Sequence, residues 1–280
     1  MGFPEDIAAL ERYLDARIEG FKGPIVLSRL EGGQSNPTFL ITTPGKRYVL
    51  RKKPDGILLK SAHAVDREFR ITSALHGTQV PVAEPLCYCE DAQVIGAPFY
   101  VSRFIDGRVL WDPALPGMTP NERAAIYDEV NGVVAALHQI DYRAIGLADF
   151  GRPDRYVERQ LSRWTQQYRQ SETQQINAME HLIEWLPQHL PLSDESAIVH
   201  GDLRLDNLMF HPTEPRVLAV LDWELSTIGH PLVDLSYHLL TWRLRPDEFR
   251  GLLGHPLHVL GIPDETRYLR RYCERVGRPP

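Results

Sequence analysis

Three side chains in the second half of the chain have the types and spacing for phosphoryl chemistry. In "IVHGDLRLDN", Ile198 to Asn207, an apolar run leads into His200 and Asp202, and Asn207 follows the Asp by five residues. Asp222 comes fifteen residues after Asn207, in "VLAVLDWE". Moving a phosphoryl group takes a carboxylate that orients the attacking hydroxyl and accepts its proton. It also takes oxygen ligands that hold Mg2+ against nucleotide phosphates. Asp202 suits the first task, and Asn207 with Asp222 suits the second. His200 reads as a structural loop histidine, and no set of histidines has the spacing of a zinc site.

The first half carries what such a site still needs. "LEGGQSN", Leu30 to Asn36, is a glycine turn able to bring backbone N–H groups near Gly33, and the Ser35 hydroxyl, to phosphate oxygens. In "RYVLRKK" strand alternation puts Val49, Arg51 and Lys53 on one face, a cation beside a small apolar residue suited to an adenine ring. Glu68 shares a helical face with Ala64, Ile71 and Leu75, so its carboxylate needs a partner. Arg51 is the natural one, in the manner of the strand-cation and helix-Glu pair that positions nucleotide phosphates in kinases.

The elements that must position these residues fall into two regimes. From Ile25 to Phe104 the chain reads as short strands, "IVLSRL", "TFLIT", "KRYVLRK", "PLCYC" and "PFYVSRF", bounded by Gly and Pro. One helix interrupts them over 61–76, with Ser61 as N-cap and Gly77 as C-terminal stop. Beyond Asp106 the pattern turns helical. "TPNE" offers Thr119 as cap, Pro120 at the first helical position and Glu122 closing a capping box. Further helices are expected over 153–171, 174–189, 231–241 and 263–275, and "NLMFHPTEPRVLAVLDWE" reads as two strands joined by a turn. The boundary divides residues 1–105, a nucleotide-binding lobe, from 106–280, a catalytic and acceptor-binding lobe.

Composition narrows the function classes. A length of 280 residues suits two lobes, and 43% hydrophobic with 24% charged residues is ordinary for a soluble fold. A net charge of −6 argues against nucleic-acid binding. The start is acidic and amphipathic, and no apolar run approaches the ~20 residues that span a bilayer, so a cytoplasmic protein with no membrane partner is expected. Cys87, Cys89 and Cys273 read as buried thiols.

"HGDLRLDN" with "VLDWE" resembles the aminoglycoside phosphotransferase family. The wider set "GGQSN", "YVLRKKP", "DREFR", "GLADFGRP", "ERQLSRW" and "LDWELSTIGHPLVDL" is similar to the branch associated with acyl-CoA dehydrogenases. The resemblance covers about residues 25–245. It implies an α+β, two-lobed, protein-kinase-like fold: an N-terminal antiparallel sheet plus one helix, and a mainly helical C-terminal lobe with a catalytic loop and hairpin. It further implies an ATP- and Mg2+-dependent phosphotransferase acting on a hydroxyl of a small molecule, and a functional link to an acyl-CoA dehydrogenase. More C-terminal helices than "RVGRPP" allows are expected from it.

Carried over, the resemblance makes Asp202 the base and Asn207 and Asp222 the Mg2+ ligands. Arg51 and Glu68 become the phosphate-positioning pair, and the hinge from Arg103 to Ile105 an adenine contact through its backbone. Asp234 resembles the buried Asp that braces the catalytic loop. Arg204 stands two positions after the base, where it steadies charge on the moving phosphoryl group. Three positions depart from the pattern: Arg51 replaces a Lys, Arg103 stands where hinges often carry an acid, and His230 where this branch often has Asp. "ADFGRP", Ala148 to Pro153, spells the kinase metal motif but precedes His200, so Asp149 is given no catalytic role.

The alternative reading is a nucleotide-binding pseudokinase acting as an interaction module, which predicts loss of Asp202, Asn207 or Asp222. All three are present. For the acceptor, Arg152, Arg155, Arg159 and Arg163 form a cationic stripe at helical spacing. Arg155 and Arg159 are the candidates for holding an acidic, CoA-like acceptor, against the plainer reading of a solvated face.

Overall fold

A computed structural model describes residues 6–30, 36–54, 64–191, 193 and 195–279. Gly33, Ser35 and Ser61 lie outside the described residues. Helix α1 (Ile7–Asp15) is capped by the Asp6 carboxylate and buries Leu10 and Leu14 against the first sheet. Strands β1 (Val26–Arg29), β2 (Thr38–Thr42) and β3 (Arg47–Lys52) form a meander. After helix α2 (Val65–Leu75) come β4 (Pro85–Cys89), the short α3 (Ala92–Ile95) and β5 (Phe99–Arg103). The sheet is antiparallel in the order β1-β2-β3-β5-β4.

Alternation along β3 decides what faces the cleft. Tyr48, Leu50 and Lys52 are buried, and the two residues first named join the core with α1, whereas Val49 and Arg51 lie on the other face. Tyr100 stands directly opposite Arg51 in the β3–β5 register, so both side chains rise from the same face. Helix α2 starts at Val65 with Ala64 at its cap and no side-chain cap, later than the expected start at Ser61. Asp66 and Glu68 in its first turn favour the N-terminus through the helix dipole. Its end matches expectation, with Gly77 in the left-handed conformation (φ 84°).

The second half begins with β6 (Arg108–Val109) and α4 (Pro120–Gln139), whose Thr119–Glu122 capping box and leading Pro120 are as anticipated. Helices α5 (Tyr156–Ser171) and α6 (Asn177–Trp185) follow. Strands β7 (Ala197–Val199), β8 (Leu208–Phe210), β9 (Val217–Val220) and β10 (Thr227–Gly229) then build two small sheets, β10-β7 and β6-β8-β9. The chain continues as α7 (Leu232–Arg243), the single turns α8 (Pro246–Phe249) and α9 (Leu257–Leu260), and α10 (Glu265–Val276) on α4. All three cysteines are free and buried.

Two apolar cores result, and they do not divide at the hinge. The smaller runs from Leu10 to Val101 through α1 and the five-stranded sheet. The larger holds α4, the hairpin, α7 and α10, but also Ile71, Leu75 and Val80. The inner face of α2 therefore belongs to the larger core although its sequence lies in the first lobe. Arg67 strengthens the attachment by donating to the Phe150 carbonyl at 2.8 Å and the Ser226 carbonyl at 3.2 Å. Arg70 pairs with Asp149 and donates to the Gly146 carbonyl at 2.9 Å. The DFG look-alike is thus a docking point for α2, consistent with a structural role for Asp149.

Candidate active site

The catalytic loop between β7 and β8 hangs from one buried carboxylate. Asp234, in the first turn of α7, accepts the His200 N–H at 2.6 Å and the Gly201 N–H at 2.8 Å. Burial alone would raise its pKa, but His138, His200 and the Gly201 amide reverse that and hold it below the ordinary carboxylate range. Gly201 has φ 87°, and a Cβ there would meet the Leu225 carbonyl oxygen at 2.8 Å, so only glycine turns both amides onto Asp234. His200 is buried, and its Nδ1 lies 3.3 Å from the Asp202 N–H. The proton then sits on Nε2, which donates to the Leu221 carbonyl at 2.8 Å. Both ring nitrogens are spent on backbone, which is a structural role.

Asp202 emerges from this loop with Asn207 folded back on it. The Asn207 Nδ2 donates to the Asp202 carbonyl at 2.7 Å and to its Oδ2 at 2.9 Å. With both amide protons committed, its Oδ1 has no donor among the described residues and is available to a hard cation. The Leu221 N–H donates to the Asn207 carbonyl at 2.8 Å, which sets the ends of β8 and β9 side by side. Asp222 then takes a left-handed backbone (φ 63°), a conformation Asp tolerates better than most residues. That turn carries its carboxylate out of the strand direction toward the first lobe.

There Asp222 meets Arg51. The Arg51 Nη2 donates to Asp222 Oδ1 at 2.7 Å, and its Nε lies 3.0 Å from Glu68 Oε2, close enough to pair although poorly aligned for a hydrogen bond. Glu224 adds a third carboxylate at 3.6 Å. Glu68 is only 1% exposed and accepts from Asn36 Nδ2 at 2.6 Å and from the Tyr100 hydroxyl at 3.2 Å. Burial pushes its pKa up to about 7, against the lowering pull of Arg51. Burial would lower the Arg51 pKa, but Glu68, Tyr100 and Asp222 together raise it. Asn36, Tyr100 and Glu224 were not singled out in the sequence. The signals were there: Asn36 ends the glycine turn, Tyr100 is the cross-strand neighbour of Arg51, and Glu224 closes "LDWE".

The remaining candidates fall in different places. At the hinge the Arg103 N–H is spent on the Glu84 carbonyl at 2.9 Å, and its Nε pairs with Glu84 Oε2 at 2.5 Å. The Phe104 N–H donates to Arg47 O at 3.3 Å, so the first hinge amide without an acceptor among the described residues is that of Ile105. Along the expected hinge contact from Arg103 to Ile105, the Arg103 and Phe104 amides are thus already paired within the chain. Arg204 stays beside Asp202, with Nε 3.0 Å from Oδ1, and beside Asp206, with Nη1 3.6 Å from Oδ2. Arg155 and Arg159 are not gathered into this cluster. Arg155 precedes α5 and forks onto Glu158, while Arg159 donates to the Arg152 carbonyl. Their charge is used locally on an exposed helix face.

A sequence model of the phosphotransferase enzyme family matches residues 26–269. The chain belongs to that family. It is 48% identical over 284 residues to acyl-CoA dehydrogenase family member 10 of Mus musculus, covering 100% of this chain and 26% of that protein. The chain thus spans about a quarter of that relative's length. A crystal structure from Ralstonia eutropha, provisionally described as an aminoglycoside phosphotransferase, superposes with a TM-score of 0.92 at 55% identity, covering 98% of this chain and 82% of the other. More distantly, a spectinomycin phosphotransferase solved with ADP and spectinomycin shares the fold at a TM-score of 0.62 and 12% identity, over 99% of this chain and 82% of that one. The two-lobed phosphotransferase architecture and its tie to the acyl-CoA dehydrogenase branch are therefore as the motifs implied. Among the described residues no helix is long and apolar enough to cross a membrane.

Proposed function

We propose that this family member transfers the γ-phosphate of ATP to a hydroxyl of a small molecule. Asp202 takes the proton of the acceptor hydroxyl as its oxygen bonds to the γ-phosphorus, and the bond to the bridging oxygen breaks to leave ADP. Arg51, held by Glu68, turns from Asp222 to the nucleotide phosphates, and Ile105 offers its N–H to the base. Arg204 stands beside Asp202 to offset charge on the moving group. Asn207 and Asp222 would hold Mg2+, which neutralises phosphate charge when bound. The convergence of Asp202, Asn207 and Asp222 on adjoining strand ends, with Asn207 Oδ1 left unspent, carries this reading. A distant structural neighbour that carries ADP supports the choice of nucleotide.

For the acceptor, the acyl-CoA dehydrogenase named in the 48% identical relative favours an acidic, acyl-CoA-like hydroxy compound. The decisive experiment couples thermal shift to ADP release. ATP with Mg2+ should raise Tm while ATP with EDTA should not, and a panel of hydroxylated acids and thioesters should include one that drives ADP formation. A metal-dependent shift with no turnover on any acceptor would favour the pseudokinase alternative. Absence of any metal-dependent shift would remove both.

A further inference from the structure

A cavity opens where Arg204, Leu205 and Asp206 of the catalytic loop face α7, and two arginine–aromatic pairs line it. Trp111, Arg204, Asp206, Tyr237, Phe249 and Arg250 line it. The Arg204 guanidinium lies 5.5 Å from the Phe249 ring centroid and the Arg250 guanidinium 5.3 Å from that of Trp111. Arg204 links the cavity to the base, because it lines the cavity and its Nε lies 3.0 Å from Asp202 Oδ1. Tyr237 lines the cavity three residues after Asp234 on α7, so the helix that braces the catalytic loop also forms one of its walls.

Exposure sorts the charges. Asp206 is 10% exposed and accepts from Arg250 Nη1 at 2.9 Å, whereas Arg250 is 49% exposed. The acid lies underneath and the guanidinium faces out. Trp111 and Phe249 are 56% and 53% exposed, unusual for such large apolar side chains. A ligand entering here meets flat apolar surface and outward-facing cations, which suits an apolar body with a carboxylate or phosphate and disfavours a polycation.

We infer that this cavity is the acceptor subsite: the acceptor's hydroxyl reaches Asp202 past Arg204, its apolar body lies against Trp111 and Phe249, and its anionic group meets Arg250. The inference rests on the phosphotransferase reading for its chemistry and assigns to these residues the recognition that the sequence had suggested for Arg155 and Arg159.

The test uses three probes of matched length: ω-hydroxyoctanoic acid, octanediol and amino-octanol. Each is titrated calorimetrically into the nucleotide-free protein, and MgADP is titrated separately. The hydroxy acid is expected to bind at least about tenfold tighter than the amino alcohol. Trp111→Ala and Phe249→Ala should each weaken it by about fivefold or more, and Arg250→Ala should bring acid and amino alcohol within about threefold of each other. MgADP affinity and Tm should stay unchanged in all three variants, since none of these side chains touches the nucleotide side of the cleft. The subsite is overturned if the hydroxy acid fails to bind, if the amino alcohol binds equally well, or if the three variants leave its affinity unaltered. Loss of MgADP binding in the unmodified protein would instead sink the nucleotide reading, so the two failures are distinguishable.

Discussion

Two groups of arginines make opposite use of the same side chain. Arg51 emerges from a strand, is enclosed, and touches carboxylates 17 and 171 positions away in sequence, at Glu68 and Asp222. Arg155 just before α5 and Arg159 on it spend their forks on a carboxylate and a carbonyl three and seven positions away. The enclosed cation ties β3 to α2 and to the turn after β9. The other two shape a helix end. A cation's worth depends on the desolvation of its surroundings and on how far apart in sequence its partners lie, because screened local pairs contribute little.

The comparison breaks if a stripe residue matters more than a cleft residue, and four substitutions order that test. Asp202→Asn should cut kcat by about a thousandfold while MgATP affinity stays within about threefold, as steady-state rates and calorimetry would show. A large loss of nucleotide binding would mean that Asp202 holds the nucleotide and is not the base. Asp222→Asn should lower turnover by about a hundredfold and raise the Mg2+ concentration needed for half-maximal rate. Near-normal kinetics would move the metal site elsewhere.

Glu68→Gln sharpens the comparison through pH. The folded chain retains a proton on Glu68 up to about 7, whereas the unfolded chain releases it near the ordinary carboxylate value. Its stabilising contribution is therefore full at low pH and is lost as pH rises through about 7. The ionised form is the one that holds Arg51, so turnover should rise over the same interval while this part of the stability falls. In Glu68→Gln turnover should drop about tenfold and both trends should flatten. An unchanged Tm profile across pH 5 to 7 would show that Glu68 does not titrate there. The smallest effect belongs to Arg159→Glu: acceptor KM within about twofold and stability within about 0.5 kcal/mol, read from kinetics and denaturant unfolding. A tenfold rise in acceptor KM would return recognition to α5.

The strands, the main helices and the catalytic loop were legible because period, capping and spacing agree over those stretches. The Arg51–Glu68 pair followed from strand alternation and from an acid on an otherwise apolar helix face. Other features depend on partners that sequence distance hides. Asn36 and Tyr100 complete the Glu68 cage from two different strand regions, and the turn and cross-strand signals that mark them become readable only once the strand register is known. Strands β6, β7 and β10 hold only two or three residues each, too few for any alternation to show. Around the start of α5, helical spacing displays the arginine stripe without revealing that Arg155 pairs with Glu158 and that Arg159 donates to the Arg152 carbonyl.

Helix α2 gives the small lobe a divided allegiance. Its Glu68 end serves the cation of the sheet, yet its apolar face and the Arg67 and Arg70 anchors belong to the larger half. A swing of the whole N-terminal half about residues 104–107 would tear those anchors away. Motion that spares them would leave α2 standing with the ends of β8 and β9 while the sheet tilts over it, as a lid turns on a fixed frame. The width of the cleft and the grip of Glu68 on Arg51 would then share a single mechanical coordinate: a tilt that widens the one stretches the other.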